Sequence, residues 1–401
     1  MCPPSLNEEL ASLDLPADIQ VKLTRSGFDA SRLRRLAATL ADADASDAND
    51  RRDRRNRIPG DVHAPSDDEI RSVPPPGSKQ RERLEALGLA AMQKGELAFC
   101  VLAGGMATRM GGVVKALVEV TEGHTFLDLR LRENRVWSAR VGKAIPLWLM
   151  TSEATEGPTR HALDQAGAPA HVRTFTQDLG LRLTPNGHIF LEDDGRPSLY
   201  SPGHGDLVDA VRRSGLLRDF VAGGGRYVWI TNLDNLGATI DPCLLGLFID
   251  AHAAARTEQA EQGASNVDVM VEVTDKDARD RGGIPVHAQG KLQILEEFRL
   301  PRDFDAGAVR VFNTNTFLVS APALETVDIA WNWFEVEKKV EGRPAIQFER
   351  LLQELTGALN ATYVRVPRDG AASRFLPVKD PAELEARRNT ILEVARTRGI
   401  L

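Results

Sequence analysis

Cysteine is scarce in this chain: Cys2, Cys100 and Cys243 are the only three in 401 residues. An odd, widely spaced set points away from a disulfide framework or a zinc cluster and leaves the thiols a structural role. No apolar run approaches the ~20 residues of a membrane span, and the opening MCPPSLNEEL has neither the basic start nor the apolar middle of a signal peptide. A cytoplasmic protein that engages no membrane is expected. Positive charge is not in excess either: 50 Lys and Arg against 57 Asp and Glu leave a net charge of -7. Nucleic acid is therefore not an expected partner, and an anionic ligand must be drawn in by a local site. There is no internal repeat, no G-x-G-x-x-G fingerprint, no P-loop, and no Ser/His or His/Asp pairing within the motifs.

What is present reads as an ordinary globular composition, 42% hydrophobic and 27% charged. The length suits one large domain with attachments, or two to three smaller ones. Residues 1–78 read as a helical N-terminal extension, with ELASL and SRLRRLAATL at helical spacing. They continue into a charged, Pro-rich stretch that is a linker or a surface-hugging arm. Its RRDRRNR is a solvated segment or a contact patch for an anionic partner. Residues 79–380 form the main domain, opened by the helix KQRERLEALGLAAMQKGE. Within it, strand-like AIPLWLMTS, RYVWITNL, VDVMVEVT, GKLQILEEF, VRVFNTNTFLVS and ATYVRVP alternate with helical TRHALDQAG, DPCLLGLFIDAHAAA and ETVDIAWNWFEVE. Residues 381–401 read as a short C-terminal helix. Alternation of this kind predicts an α/β fold with a mixed or mostly parallel sheet, whose ligands sit at the carboxyl ends of the strands.

LAGGMATRMGG, residues 102–112, follows the apolar run FCVL. Glycines at a strand end let the backbone turn sharply and bring N–H groups close to an anion, with a following helix N-terminus aimed at it. Thr108 and Arg109 lie within the loop and Lys115 lies just after it. Cations and a row of amides suit a triphosphate. In NLDNLGAT, alternation places Asn232 and Asp234 on one face at a strand end, with Asn235 beside them. A carboxylate there is a hard-oxygen ligand of the kind Mg²⁺ takes. Gly203 and Gly205 flank His204, which predicts an exposed imidazole. Asn313 and Asn315 in VFNTN share a face and offer amides to hydroxyls.

These pieces, in order along residues 97–380, resemble the UDP-glucose pyrophosphorylase family of the eukaryotic type. The matching segments include LAGGMATRMGGVVKALVEV, HTFLDL, PLWLMTS, FTQ, SPGHGDL, ITNLDNLGATID, VMVEVTDKDARDRGGIP, FNTNTFLVS, AIQFERLL and SRFLPVK. The resemblance implies a Rossmann-like nucleotidyltransferase sheet and a uridylyl transfer from UTP to glucose 1-phosphate, with Mg²⁺ as cofactor and UDP-glucose and pyrophosphate as products. It implies catalytic roles for Lys115, Lys379 and Arg109, and a metal role for Asp234. Leu102, Ala103, Gly104, Gly105, Thr108, Met150, Gln177 and Gly203 would bind the nucleotide. His204, Asn232, Asn235, Gly283, Glu296, Asn313 and Asn315 would bind the sugar, with Glu297 as the alternative to Glu296. A phosphate monoester is anionic near neutral pH and needs no general base, so alignment and electrostatics would carry the chemistry.

The chain departs from the family pattern in three places. Val114 stands where a proline commonly precedes the loop lysine, so a fixed φ is lost. Met106-Ala107 replaces a small, Gly-containing pair. After SRFLPVK about twenty residues remain, so the C-terminal β-helix of the family, and assembly through it, are not expected. A sugar 1-phosphate carrying galactose or N-acetylglucosamine, and a non-catalytic sugar-nucleotide binder, are the alternative readings. A nicotinamide-dependent oxidoreductase is disfavoured by the missing fingerprint.

Overall fold

The computed structural model describes residues 13, 15–41, 48–107, 110–121, 123–262, 266–277 and 280–401. ELASL, Cys2, Thr108 and Arg109 lie wholly or mostly outside them. The centre is an eight-stranded sheet, with strands in chain order β1 (Ile70–Ser72), β2 (Leu97–Leu102), β3 (Leu147–Thr151), β4 (Val172–Thr176), β5 (Tyr227–Asn232), β6 (Val269–Asp275), β7 (Val311–Ser320) and β8 (Ala361–Arg365). Their spatial order is β1-β8-β6-β7-β5-β2-β3-β4. Every neighbouring pair is parallel except those made by β7, which runs antiparallel to β5 and β6. The mixed, mostly parallel sheet expected from the alternating runs is present.

Strand β2 shows why both faces are covered. Phe99 and Val101 enter one core with Leu147, Leu149 and Trp229. Ala98 and Cys100 enter the other with Trp148, Met150, Val228 and Ile230. Such strands read as continuous apolar runs because neither face meets water. Helices α4 (Lys79–Lys94), α5 (Phe126–Val141), α7 (Pro242–Gln262) and α8 (Pro381–Thr397) include contributors to the first core. Helix α6 (Glu153–Gln165) follows β3. α4 and α7 touch through backbone: a Cβ on Gly88 would stand 2.0 Å from the Pro242 carbonyl oxygen, and one on Gly246 1.9 Å from that of Leu84. α5, which the sequence reading did not assign, begins with a capping box at Thr125 and Asp128 and stops at Gly142, φ 67°.

One expectation changes and two open readings become specific. The run ETVDIAWNWFEVE is helical only at its start, Ala321–Thr326; Phe334–Val340 is a strand paired with Arg343–Glu349. It extends because its backbone pairs along its whole length with Arg343–Glu349, a partner outside the segment, and just before it Trp331 and Trp333 each lie 5.1 Å from the Arg350 guanidinium. The charged stretch before Lys79 hugs the body. Helix α3 (Ala48–Asn56) carries Arg51, which donates to buried Glu335 at 2.8 Å, Val62–His63 pairs with the strand Gly283–Ala288, and β1 joins the main sheet. Thirdly, α1 (Ala17–Arg25) and α2 (Ala30–Ala41) are not a separate unit: Ile19, Leu23, Phe28 and Leu33 share a core with Leu179, Leu181, Ile346 and Phe348. Among the described residues no helix is long and apolar enough to cross a membrane.

Candidate active site

The chain climbs β2, β3 and β4 to one side, then returns to lay β5 on the other side of β2. The carboxyl ends of β2 and β5, paired at Leu102 and Asn232, therefore flank a topological switch point. A cavity of about 390 Å³ opens there. Leu102, Gly104, Gly105, Lys115, Met150, Gln177, Gly203, His204, Asn232 and Asp234 line it, together with Ser201 and Leu233, which sequence reasoning missed. Ala103 is behind this wall, 1% exposed, with its N–H donating to the Met150 carbonyl.

The glycine loop is not followed by a helix. Met106–Ala107 pairs antiparallel with Val113–Val114, Gly111 and Gly112 take φ of 90° and 72°, and a 3-10 turn, Lys115–Leu117, comes next. The expected helix N-terminus is corrected to a hairpin, whose own backbone ladder claims these residues; α5 starts only at Phe126. Gly104 is closely packed: a Cβ there would lie 2.6 Å from Gln177 Oε1, which would have to shift, and 3.3 Å from the Ser152 nitrogen. Gln177 Nε2 donates to the Gly203 carbonyl at 2.9 Å, which directs Oε1 toward Gly104. Lys115 Nζ and Asp234 Oδ2 are 2.5 Å apart, both side chains about one-sixth exposed. Asp234 is in the turn after β5, so curvature, not strand alternation, brings it beside Asn232.

His204 is half-buried, not exposed. Its Nδ1 accepts the Leu352 N–H at 3.0 Å, so the neutral ring carries its proton on Nε2, and burial pulls its pKa down to about 4. Asn235 is also corrected. It is 1% exposed; its Oδ1 accepts the Leu376 N–H at 2.8 Å and its Nδ2 donates to the Arg374 carbonyl at 3.1 Å. Both ends of the amide thus clasp the SRFLPVK segment, and the buried side chain does not line the cavity. Lys379 is exposed and does not line the cavity; its neighbour Val378 donates to the Asp234 carbonyl.

Gly283, Glu296 and Asn313 form a second group. Gly283 pairs in register with Glu296, and a Cβ on Gly283 would lie 3.3 Å from Glu296 Oε1 and 3.7 Å from Asn313 Cβ. β7 bulges where its register with β6 shifts, and Asn315 is left-handed at φ 59°. The simple alternation expected for Asn313 and Asn315 is broken there, and Asn315 Nδ2 donates to Asn232 Oδ1 at 2.8 Å. Burial, then the adjacent Glu297, lift the Glu296 carboxyl to about 7, against the pull of the Gln353 amide that donates to it at 2.6 Å. Glu297 itself pairs with Lys276 at 2.9 Å.

Two buried arginines hold the Asp234 turn from below. Arg130 of α5, 1% exposed, donates to the carbonyls of Asn232 (3.1 Å), Asn235 (2.7 Å) and Ala238 (3.0 Å) and to Glu133 (2.8 Å). Arg374 grips Glu272 with two bonds of 2.7 Å and donates to the Thr239 carbonyl. Neither was legible as a site residue.

A doubly wound α/β sheet, with a glycine hairpin, a lysine and a carboxylate at its switch point, defines a protein of the nucleotide-binding α/β class. The family model "UTP--glucose-1-phosphate uridylyltransferase" matches residues 60–397, and the chain belongs to that family. The enzyme of that name from Saccharomyces cerevisiae is 31% identical over 310 residues, covering 72% of this chain and 58% of the relative. The one from Solanum tuberosum is 30% identical over 306 residues, covering 72% and 60%. The chain spans 58 to 60% of the length of these two curated relatives. Among solved structures, a UDP-glucose pyrophosphorylase variant from Leishmania major has a TM-score of 0.62 at 25% identity, covering 82% of this chain and 71% of that one. A UDP-N-acetylglucosamine pyrophosphorylase from Trypanosoma brucei shares the fold, with a TM-score of 0.67 at 19% identity over 96% of this chain and 85% of that one.

Proposed function

We propose that the protein transfers a uridylyl group from UTP to glucose 1-phosphate in the cytoplasm, releasing pyrophosphate. The observation that carries this reading is the convergence of Gly104, Gly105, Lys115, Gln177, His204 and Asp234 on one switch-point cavity in a chain of this family. A phosphate oxygen of the sugar 1-phosphate forms a bond to the α-phosphorus of UTP, and the bond from that phosphorus to the bridging oxygen breaks in line. Gln177 and the close-packed Gly104 shape the base pocket, Lys115 neutralises charge on the phosphates, and the neutral His204 donates from Nε2. Glu296 and Asn313 supply the sugar side, with Asn315 acting through Asn232.

Asp234 is the carboxylate we assign to Mg²⁺. No group of three ligating side chains occurs among the described residues, which suits an ion that takes one or two carboxylates and completes its shell with phosphate and water. Bound there, it supplies charge neutralisation between two mutually repelling anions. Lys115 Nζ pairs with Asp234 Oδ2, so a cation held by this carboxylate would compete with the lysine for it.

The test is pyrophosphate release with Mg²⁺, UTP and the 1-phosphates of glucose, galactose and N-acetylglucosamine offered in parallel. Release with glucose 1-phosphate is expected. UDP-sugar binding without release from any of the three would overturn transfer and leave a binder.

A further inference from the structure

The base side of the site and its sugar side meet on one short segment, residues 350–353. Arg350 clasps the Gly203 loop with its backbone: its N–H donates to the Pro202 carbonyl at 2.8 Å, and its carbonyl accepts the Gly205 N–H at 3.1 Å. The two chains are in close approach, since a Cβ on Gly205 would lie 2.7 Å from the Arg350 carbonyl carbon. Two residues on, the Leu352 N–H holds the His204 ring, and the next side chain, Gln353, donates to Glu296.

The Arg350 side chain is 1% exposed and does not line the cavity. Its Nε donates to Asp206, two residues after His204, and its Nη2 donates at 2.9 Å to Asp178, the residue after Gln177; Nη1 reaches Asp209. The Asp178 N–H donates to Asp206 at 3.1 Å, and Gln177 Nε2 donates to the Gly203 carbonyl at 2.9 Å. A planar fork aimed in three directions fixes three carboxylates at once, which a single ammonium cannot do. The distance between the Gln177 amide and the His204 imidazole is therefore set by a group that meets neither substrate. Gln353, 2% exposed, works in the same way on the other side: its amide N–H is committed to Glu296 Oε1 at 2.6 Å.

We propose that residues 350–353 are a positioning segment of the active site, with Arg350 setting the base side through Gln177 and His204 and Gln353 setting the sugar side through Glu296. The inference rests on the proposed reading of the cavity as a UDP-sugar site, and it adds two residues that act only through others.

The experiment is calorimetric titration of the full chain with UDP and with UDP-glucose, beside urea unfolding. Arg350→Lys is expected to weaken both ligands about tenfold, the worth of one charge-assisted bond. Gln353→Met is expected to weaken UDP-glucose about tenfold and to leave UDP within about twofold, because only the sugar side loses its support. Arg212→Met supplies the comparison for stability alone: its guanidinium caps the Leu324 and Val327 carbonyls and bonds neither Asp178 nor Asp206, so it is expected to lose stability and keep both affinities. Should Arg350→Lys fail to fold, Asp206→Asn takes its place, since an amide can accept from Arg350 but turns an N–H toward the Asp178 N–H. Unchanged UDP affinity in the base-side variant, or an equal loss in Arg212→Met, overturns the role of Arg350. A Gln353→Met protein that loses both ligands alike, or neither, overturns the role of Gln353. Absence of UDP binding by the parent overturns the cavity reading and the inference with it, whereas the expected pattern of affinities without pyrophosphate release upholds the segment and counts against transfer alone.

Discussion

Replacing Arg130 tests whether the Asp234 turn is held by a buried cation. In Arg130→Met the Glu133 carboxylate, 1% exposed, loses its ion-pair partner, and the carbonyls of Asn232, Asn235 and Ala238 lose their side-chain donor. Removing one member of a buried pair costs roughly 3–5 kcal/mol, chiefly for the charge left behind. The carbonyl bonds overlap with that figure, so a loss of about 4 kcal/mol is expected in urea unfolding. Glu133 also accepts the Ile240 N–H at 2.7 Å, which a glutamine carbonyl can still do. Arg130→Met with Glu133→Gln is therefore expected to recover about 2 kcal/mol, a coupling readable in a double-mutant cycle. Arg130→Lys keeps the charge without the fork, because one ammonium cannot match four acceptors spread around a planar guanidinium. It is expected to keep most of the stability and lose about tenfold in kcat/KM, since the bonds to Asn232 and Asn235 bracket Asp234. A loss below about 1 kcal/mol in Arg130→Met, or no recovery on adding Glu133→Gln, would refute the reasoning.

Three further outcomes follow from single residues. With the Glu296 carboxyl lifted to about 7 from an ordinary 4.5, the folded state holds that proton more tightly than the unfolded one. Its stabilising contribution is complete below the ordinary carboxylate range and lost as pH rises through 7, while KM for the sugar 1-phosphate improves over the same rise; Glu296→Gln is expected to flatten both profiles. Gly104→Ala drives a methyl against Gln177 Oε1, so KM for UTP is expected to rise about tenfold with turnover at saturation retained, and an unchanged KM would sink the base-pocket assignment. Val114 sits at φ -62°, the value a proline ring imposes, and the adjacent ladder bond runs from the Lys115 N–H to the Gly105 carbonyl. Val114→Pro is thus expected to stabilise by roughly 0.5 kcal/mol and preserve turnover; a destabilised or inactive protein would show that the Val114 N–H is needed.

The sheet was legible because β2, β3, β5 and β6 are apolar runs buried on both faces, and glycine and amide clusters at their carboxyl ends marked the cavity. What stayed hidden depended on distant partners. Asn235 looks like a ligand group in NLDNLGAT, and only the approach of Leu376 and Arg374 shows that both ends of its amide are taken. α5 was missed because Arg130, Glu133 and Asn134 lie on buried surface, which erases the apolar stripe that signals a helix. His204 looked exposed between two glycines. Those glycines instead let the loop press against Arg350, whose carbonyl oxygen would stand 2.7 Å from a Cβ on Gly203.

Strand β1 has a consequence for how the chain can be cut. Its three residues, Ile70–Ser72, cover β8, whose Ala361–Arg365 backbone would otherwise be the open border of the central sheet. A fragment starting at Lys79 would keep every residue lining the cavity, yet display an unpaired row of amides and carbonyls beside Tyr363, Val364 and Arg365. Such a border recruits strands from other copies. The arm, which contributes no residue to the lining of the cavity, is thereby the sheet's guard against self-association.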